Sequence, residues 1–102
     1  MGKPEAYVED YLLKKANERK FLCYKFISGV NGVPDRIIIG NGYTVFVETK
    51  RLNGAPRKLQ EAIIKKMRKQ GAYVYVIDNR PDVDALLENM QTGRLEPAPS
   101  DT

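Results

Sequence analysis

A chain of 102 residues with 42% hydrophobic content makes one domain with one core and leaves nothing over for a second. It has no histidine and a single cysteine, Cys23, which excludes an internal disulfide, a Cys/His zinc cluster and histidine acid–base catalysis. Any chemistry therefore falls to carboxylates, lysine or a bound hard metal ion. The net charge of +4 is unevenly spread: basic residues outnumber acidic ones up to residue 81, whereas beyond it Arg94 stands alone against Asp82, Asp84, Glu88, Glu96 and Asp101. A basic body suits a polyanion such as nucleic acid, and a merely solvated cationic surface is the competing reading.

The chain-order reading begins with a helix. Pro4 fits a first helical turn, and Val8, Leu12 and Ala16 mark a buried stripe running to about Glu18. "MGKPEAYVEDYL" has no apolar signal segment, and no run reaches the roughly 18 apolar residues of a membrane span, so the expectation is a cytoplasmic protein without membrane association. "FLCYKFI" (21–27) reads as a strand, and Gly29, Asn31 and Gly32 as a loop. "DRIIIG" and "YTVFVETK" read as two strands of a hairpin turned at Asn41-Gly42.

A second helix is expected from near Pro56 to Gly71, burying Leu59, Ile63 and Met67. Its row of Lys65, Lys66, Arg68 and Lys69 is either a phosphate-binding face or simply a solvated one. "AYVYVI" (72–77), nearly continuous in apolar residues, is expected inside the sheet. A last helix, about 81–90, starts at Pro81 with Asp82 and Asp84 in its dipole-favoured first turn, and "EPAPSDT" is expected to fray. The order is α-β-β-β-α-β-α, an α/β fold with a central mixed sheet flanked by helices.

Charge interrupts the apolar hairpin at one end. Alternation puts Glu48 and Lys50 on one face of their strand and Thr49 on the other, and the hairpin returns Asp35 toward them. One reading is an ordinary cross-strand ion pair of Asp35 with Lys50. The other is a metal site, because two carboxylates repel unless a cation lies between them, and a hard divalent ion takes carboxylate and carbonyl oxygens.

Pro34-Asp35 followed by Glu48-Thr49-Lys50 matches the PD-(D/E)XK nuclease signature, with the Asp on the second strand and the Glu-x-Lys on the third. With "PEAYVEDYL", "YKFISGVNGVPDRIII", "VFVETKRLNGAPRKLQ" and "GAYVYVID", residues 4–88 resemble the VRR-NUC branch of that superfamily. The resemblance implies a restriction-endonuclease-like core, with residues 1–92 as the nuclease domain and 93–102 as a flexible tail. It further implies hydrolysis of DNA phosphodiesters with Mg or Mn held by Asp35, Glu48 and the Thr49 carbonyl. Lys50 corresponds to the motif lysine and Gln60 to a family glutamine that positions water or Lys50, an exposed helix glutamine being the alternative. The first-helix acid is assigned to Glu9, with Glu5 one turn earlier as its rival and a solvated glutamate as the competing reading for each.

Lys25, Arg36, Arg51, Arg57 and Lys58 surround these positions as candidate phosphate contacts. No base-reading motif accompanies them, so recognition by DNA shape is expected. Free-standing members of the resembled family, often from phages, are similar to homodimeric Holliday junction resolvases. The implied substrate is thus branched DNA, a four-way junction above all, cut by a two-fold dimer. Two other readings stay open: a nuclease of the same fold that nicks flaps, forks or duplex, and a nonenzymatic DNA-binding module.

Overall fold

A computed structural model describes the backbone of residues 5–97 and the side chains from residue 6 onward. The elements run α1 (Glu5–Glu18), β1 (Leu22–Lys25), β2 (Arg36–Gly40), β3 (Tyr43–Thr49), α2 (Lys58–Lys69), β4 (Tyr73–Ile77) and α3 (Arg80–Gln91). This is the order expected from the sequence. The four strands lie side by side in chain order, antiparallel from β1 to β3, while β4 runs parallel to β3 after the α2 crossover.

The period-four stripe of α1 is buried as expected, with Val8, Leu12 and Ala16 in one core with Cys23, Ile38, Val45, Val47 and Ile77 of the sheet and Val83, Leu86, Leu87 and Met90 of α3. Alternation along the strands sends those sheet residues to a single face, roofed by α1 and α3. The hairpin turn at Asn41 and Gly42 has φ of 49° and 85°, the paired positive values of a tight primed turn. Asn41 also donates from Nδ2 to the carbonyls of Met90 and Gln91 (2.8 and 3.1 Å), which ties the hairpin to the end of α3. Past α3, Leu95 is buried in the same core and its N–H reaches the Tyr43 hydroxyl at 3.3 Å, so packing continues three residues beyond residue 92. Residues 98–102, most of the segment expected to fray, lie outside the described residues.

Three expectations need correction. β4 is an edge strand and does not lie inside the sheet. Its apolar run reflects cover on both faces: Ile77 faces the α1–α3 core, whereas Val74 faces the other way, the side taken by α2 and its Ile64. The Arg68 guanidinium donates through Nε and Nη2 (3.0 and 2.9 Å) to the Val74 carbonyl, setting a charge against this edge strand. In α2 itself the buried residue is Ile64, while Leu59 is exposed and Ile63 and Met67 are half-buried. The helix starts at Lys58 and presents the Gln60–Ile64 line inward, one residue round from the expected stripe. Finally, β1 spans four residues, not seven: Phe21 precedes it in the core, the Phe26 N–H still reaches the Asp35 carbonyl (2.8 Å), and Ile27 is exposed.

α2 covers only the β4 side of its face of the sheet. On the β1–β2 side Leu22, Tyr24 and Ile39 remain 47%, 54% and 37% exposed.

Candidate active site

The register sets the geometry of the charged end of the sheet. Arg36, the first residue of β2, pairs with Val47, and the same register continued by one residue sets Asp35 opposite Glu48. Directly opposed residues of neighbouring strands have Cβ atoms about 5 Å apart. Glu48 is buried at 6% exposure, an unusual place for a carboxylate, and it is held from two sides. Lys50, two residues on and therefore on the same face, brings Nζ to 3.2 Å from Glu48 Oε2. Gln60 Nε2 donates to that same oxygen at 3.2 Å.

The orientation of Gln60 is fixed at its other end, where Oε1 accepts from the Arg57 N–H at 3.1 Å and closes the first turn of α2. The sequence-level expectation placed this glutamine beside water or Lys50; the structure puts it on Glu48. Thr49 turns its side chain to the opposite face, where it is fully buried.

Glu9 lies on α1, on the other face of the sheet, and meets the site at its edge. Its Oε2 accepts from Arg36 Nε at 2.9 Å and stands 3.6 Å from Lys25 Nζ. Lys25 in turn stands 3.6 Å from Asp35 Oδ2, so a single ammonium spans the first-helix acid and the motif aspartate. Alternation explains why Arg36 points to α1, on the same face as Val47 across from it. That signal was available in the sequence; the meeting of Lys25, Glu9 and Arg36 was not, because they come from three separate elements. The Glu5 side chain lies outside the described residues.

Among the described residues no three of His, Cys, Asp and Glu converge closely enough to bind a metal ion. What the structure offers is an opposed pair of carboxylates with a third acid tethered to the pair through Lys25. Carboxylate oxygens at one end of the sheet, on a chain without histidine, are the donor type that a hard divalent ion takes. Cys23 is not a competing ligand or nucleophile: burial pushes its thiol pKa up, and nearby Glu9 adds to this against the opposing pull of Arg36.

The remaining cations frame the same end. Arg51, Arg57 and Lys58 are exposed in the loop and helix start that follow the motif. That loop is pinned by Asp78 Oδ2, which accepts from the Asn53 N–H at 3.0 Å, and by a turn in which Gly54 donates to the Arg51 carbonyl at 2.7 Å. Arg36 differs from them, being half-buried and occupied by Glu9. None of the described helices is long and apolar enough to cross a membrane.

No protein-family model and no curated protein matches the chain. Among solved structures it is similar to one described as a VRR_NUC domain, at a TM-score of 0.72 and 29% identity, covering 82% of this chain and 94% of that one. A mixed four-stranded sheet flanked by helices, with acids and lysine at one end, defines a nuclease-type α/β domain. This likeness supports a VRR-NUC domain protein.

Proposed function

We propose that this protein is a metal-dependent, structure-selective DNA endonuclease that acts as a homodimer on branched DNA, resolving Holliday junctions. The observation that carries the reading is the register of β2 and β3, which continued by one residue sets Asp35 opposite Glu48, with Lys50 against Glu48. When bound by Asp35, Glu48 and the Thr49 carbonyl, a Mg or Mn ion supplies an activated water and offsets charge on the phosphate. Gln60 keeps Glu48 from turning away, and Lys50 orients the attacking water or stabilises negative charge developing on the phosphorus oxygens. The leaving oxygen takes its proton from solvent, since the chain has no histidine to give one. Arg51, Arg57 and Lys58 contact the DNA backbone on the exposed side of the site.

Glu9 is the first-helix acid in this reading, held at the site's edge by Arg36 and Lys25. Glu9→Gln is expected to lower the cleavage rate by roughly tenfold or more, the scale on which misplacing a catalytic group acts, with Glu5→Gln close to the parent. Steady-state nicking of both variants under identical metal concentration checks this, and the reverse ranking transfers the role to Glu5.

Two copies suit a four-way junction because its opposed scissile strands are related by a two-fold axis. The exposed Leu22, Tyr24 and Ile39 on the sheet face beyond the reach of α2 supply apolar surface for a partner subunit. The test is cleavage of a mobile-core four-way junction beside matched flap, fork and duplex substrates, with Mn and with EDTA, together with sedimentation equilibrium at micromolar protein. The reading expects EDTA-sensitive paired nicks on the junction and twice the 11.6 kDa mass of the chain. Equal cutting of flaps or duplex by a monomer leaves a general nuclease of this fold, and no cutting of any substrate leaves a DNA-binding module.

A further inference from the structure

The acids at the charged end of the sheet are matched one for one by bases before any metal arrives. Three acids, Glu9, Asp35 and Glu48, face three bases: Arg36 on Glu9, Lys50 on Glu48, and Lys25 between Glu9 and Asp35. A divalent ion added to this set leaves a surplus of two positive charges, which the withdrawal of one base halves. The three bases differ in how easily they can do so. The Arg36 and Lys50 side chains are only 15% and 16% exposed and make contacts of 2.9 and 3.2 Å. Withdrawing either strands a charge in a half-buried place, which is strongly unfavourable. Lys25 is 55% exposed, sits on an edge strand, and is 3.6 Å from each of its two carboxylates, so its ammonium can move into water at little cost.

Resting on the metal site proposed above, we infer that Lys25 is a resident counter-cation of that site. It competes with the metal for Asp35, leaning on Glu9 while it does so, and once displaced it swings out to a DNA phosphate. The residue thus has two alternative anionic partners, the acids of its own chain and the nucleic acid. Each partner that takes it frees the other event: DNA that captures the ammonium uncovers the acids, and a metal that captures the acids releases the ammonium. By linkage the two bindings strengthen one another. The exchange involves no bond making, only a change of ion-pair partner, so it is fast and reversible.

Mn titration followed by the electron paramagnetic resonance of free Mn, on the full chain without DNA, reads the competition directly and needs no turnover. Lys25→Met, which keeps the length of the side chain and removes the charge, is expected to bind Mn roughly three- to fivefold more tightly than the parent, the scale of one exposed ion pair. Lys25→Arg restores the parent value. Adding a catalytically inert, phosphorothioate-substituted junction tightens Mn binding in the parent and changes it less in Lys25→Met. Unchanged or weaker Mn binding by Lys25→Met overturns the inference, because a lysine that only contacts DNA leaves metal affinity alone and one that merely holds the acids together lowers it on removal. Asp35→Asn serves as the second arm. If it still binds Mn like the parent, the metal site itself is misassigned and Lys25 falls with it; if it loses Mn while Lys25→Met is unaltered, only the role of Lys25 is lost.

Discussion

Asp35→Asn and Glu48→Gln should each reduce DNA cleavage by at least roughly 10³-fold, more than the usual loss of a single neutral hydrogen-bond donor from an active site. Each exchange removes one negative charge at nearly constant shape from an opposed pair that has no histidine to substitute for it. The two are not equivalent in their effect on the fold. Asp35 is 43% exposed, so its amide is solvated and the variant should melt with the parent. Glu48→Gln instead leaves the half-buried Lys50 ammonium without its partner, which destabilises the fold by about 1–3 kcal/mol. Cleavage rates should therefore be compared well below both melting temperatures, with circular dichroism confirming the folded state. A folded variant of either kind that cuts at near the parent rate with metal present removes the acid pair from the mechanism.

The largest effect on the fold itself is expected from Gly40→Ala. A Cβ at that position would lie 2.3 to 2.8 Å from three atoms of the Phe21 ring, closer than side chains approach. Phe21 cannot retreat freely, because it is buried in the core and its N–H is bonded to the Ala16 carbonyl at 3.0 Å at the end of α1. Forcing a methyl into such a contact costs about 2–3 kcal/mol, a drop in melting temperature of roughly 10–20 °C for a domain of this size. Urea unfolding measures it. A loss below about 0.5 kcal/mol, the size of an indifferent surface change, would mean that Phe21 does not pack on the second strand. Replacing Phe21 by Leu in the same chain should recover part of the loss, since the two positions are coupled through one contact.

What the sequence revealed and what it withheld follow from how far each feature reaches along the chain. Val8, Leu12 and Ala16 report the buried side of α1 because helical periodicity is local, and Asn41-Gly42 reports a turn because its backbone angles are demanded by two adjacent residues. The opposition of Asp35 and Glu48 was legible for a related reason, since a tight hairpin fixes the register of both its strands. The edge position of β4 was not. An apolar run records that both faces of a strand are covered and carries no information about whether another strand lies alongside. The inward line of α2 was shifted for a similar reason: with several apolar residues on adjacent faces, which one is buried depends on how the helix lies over β4, and that is a tertiary choice. The ion pairs of Glu9 with Arg36 and Lys25 join residues far apart in the chain, and no spacing encodes them.

The amide of Gln60 has a mechanical consequence. One end of it closes the first turn of α2 and the other grips Glu48, so the helix start and the carboxylate move as a unit. Unwinding that turn slackens the grip on the acid, and anything that stiffens the turn tightens it. The neighbouring side chains of Arg57 and Lys58 project from this same turn. Under the proposed function, a backbone phosphate pulling on them would load the turn, and the load would be carried through one side chain to the buried oxygen.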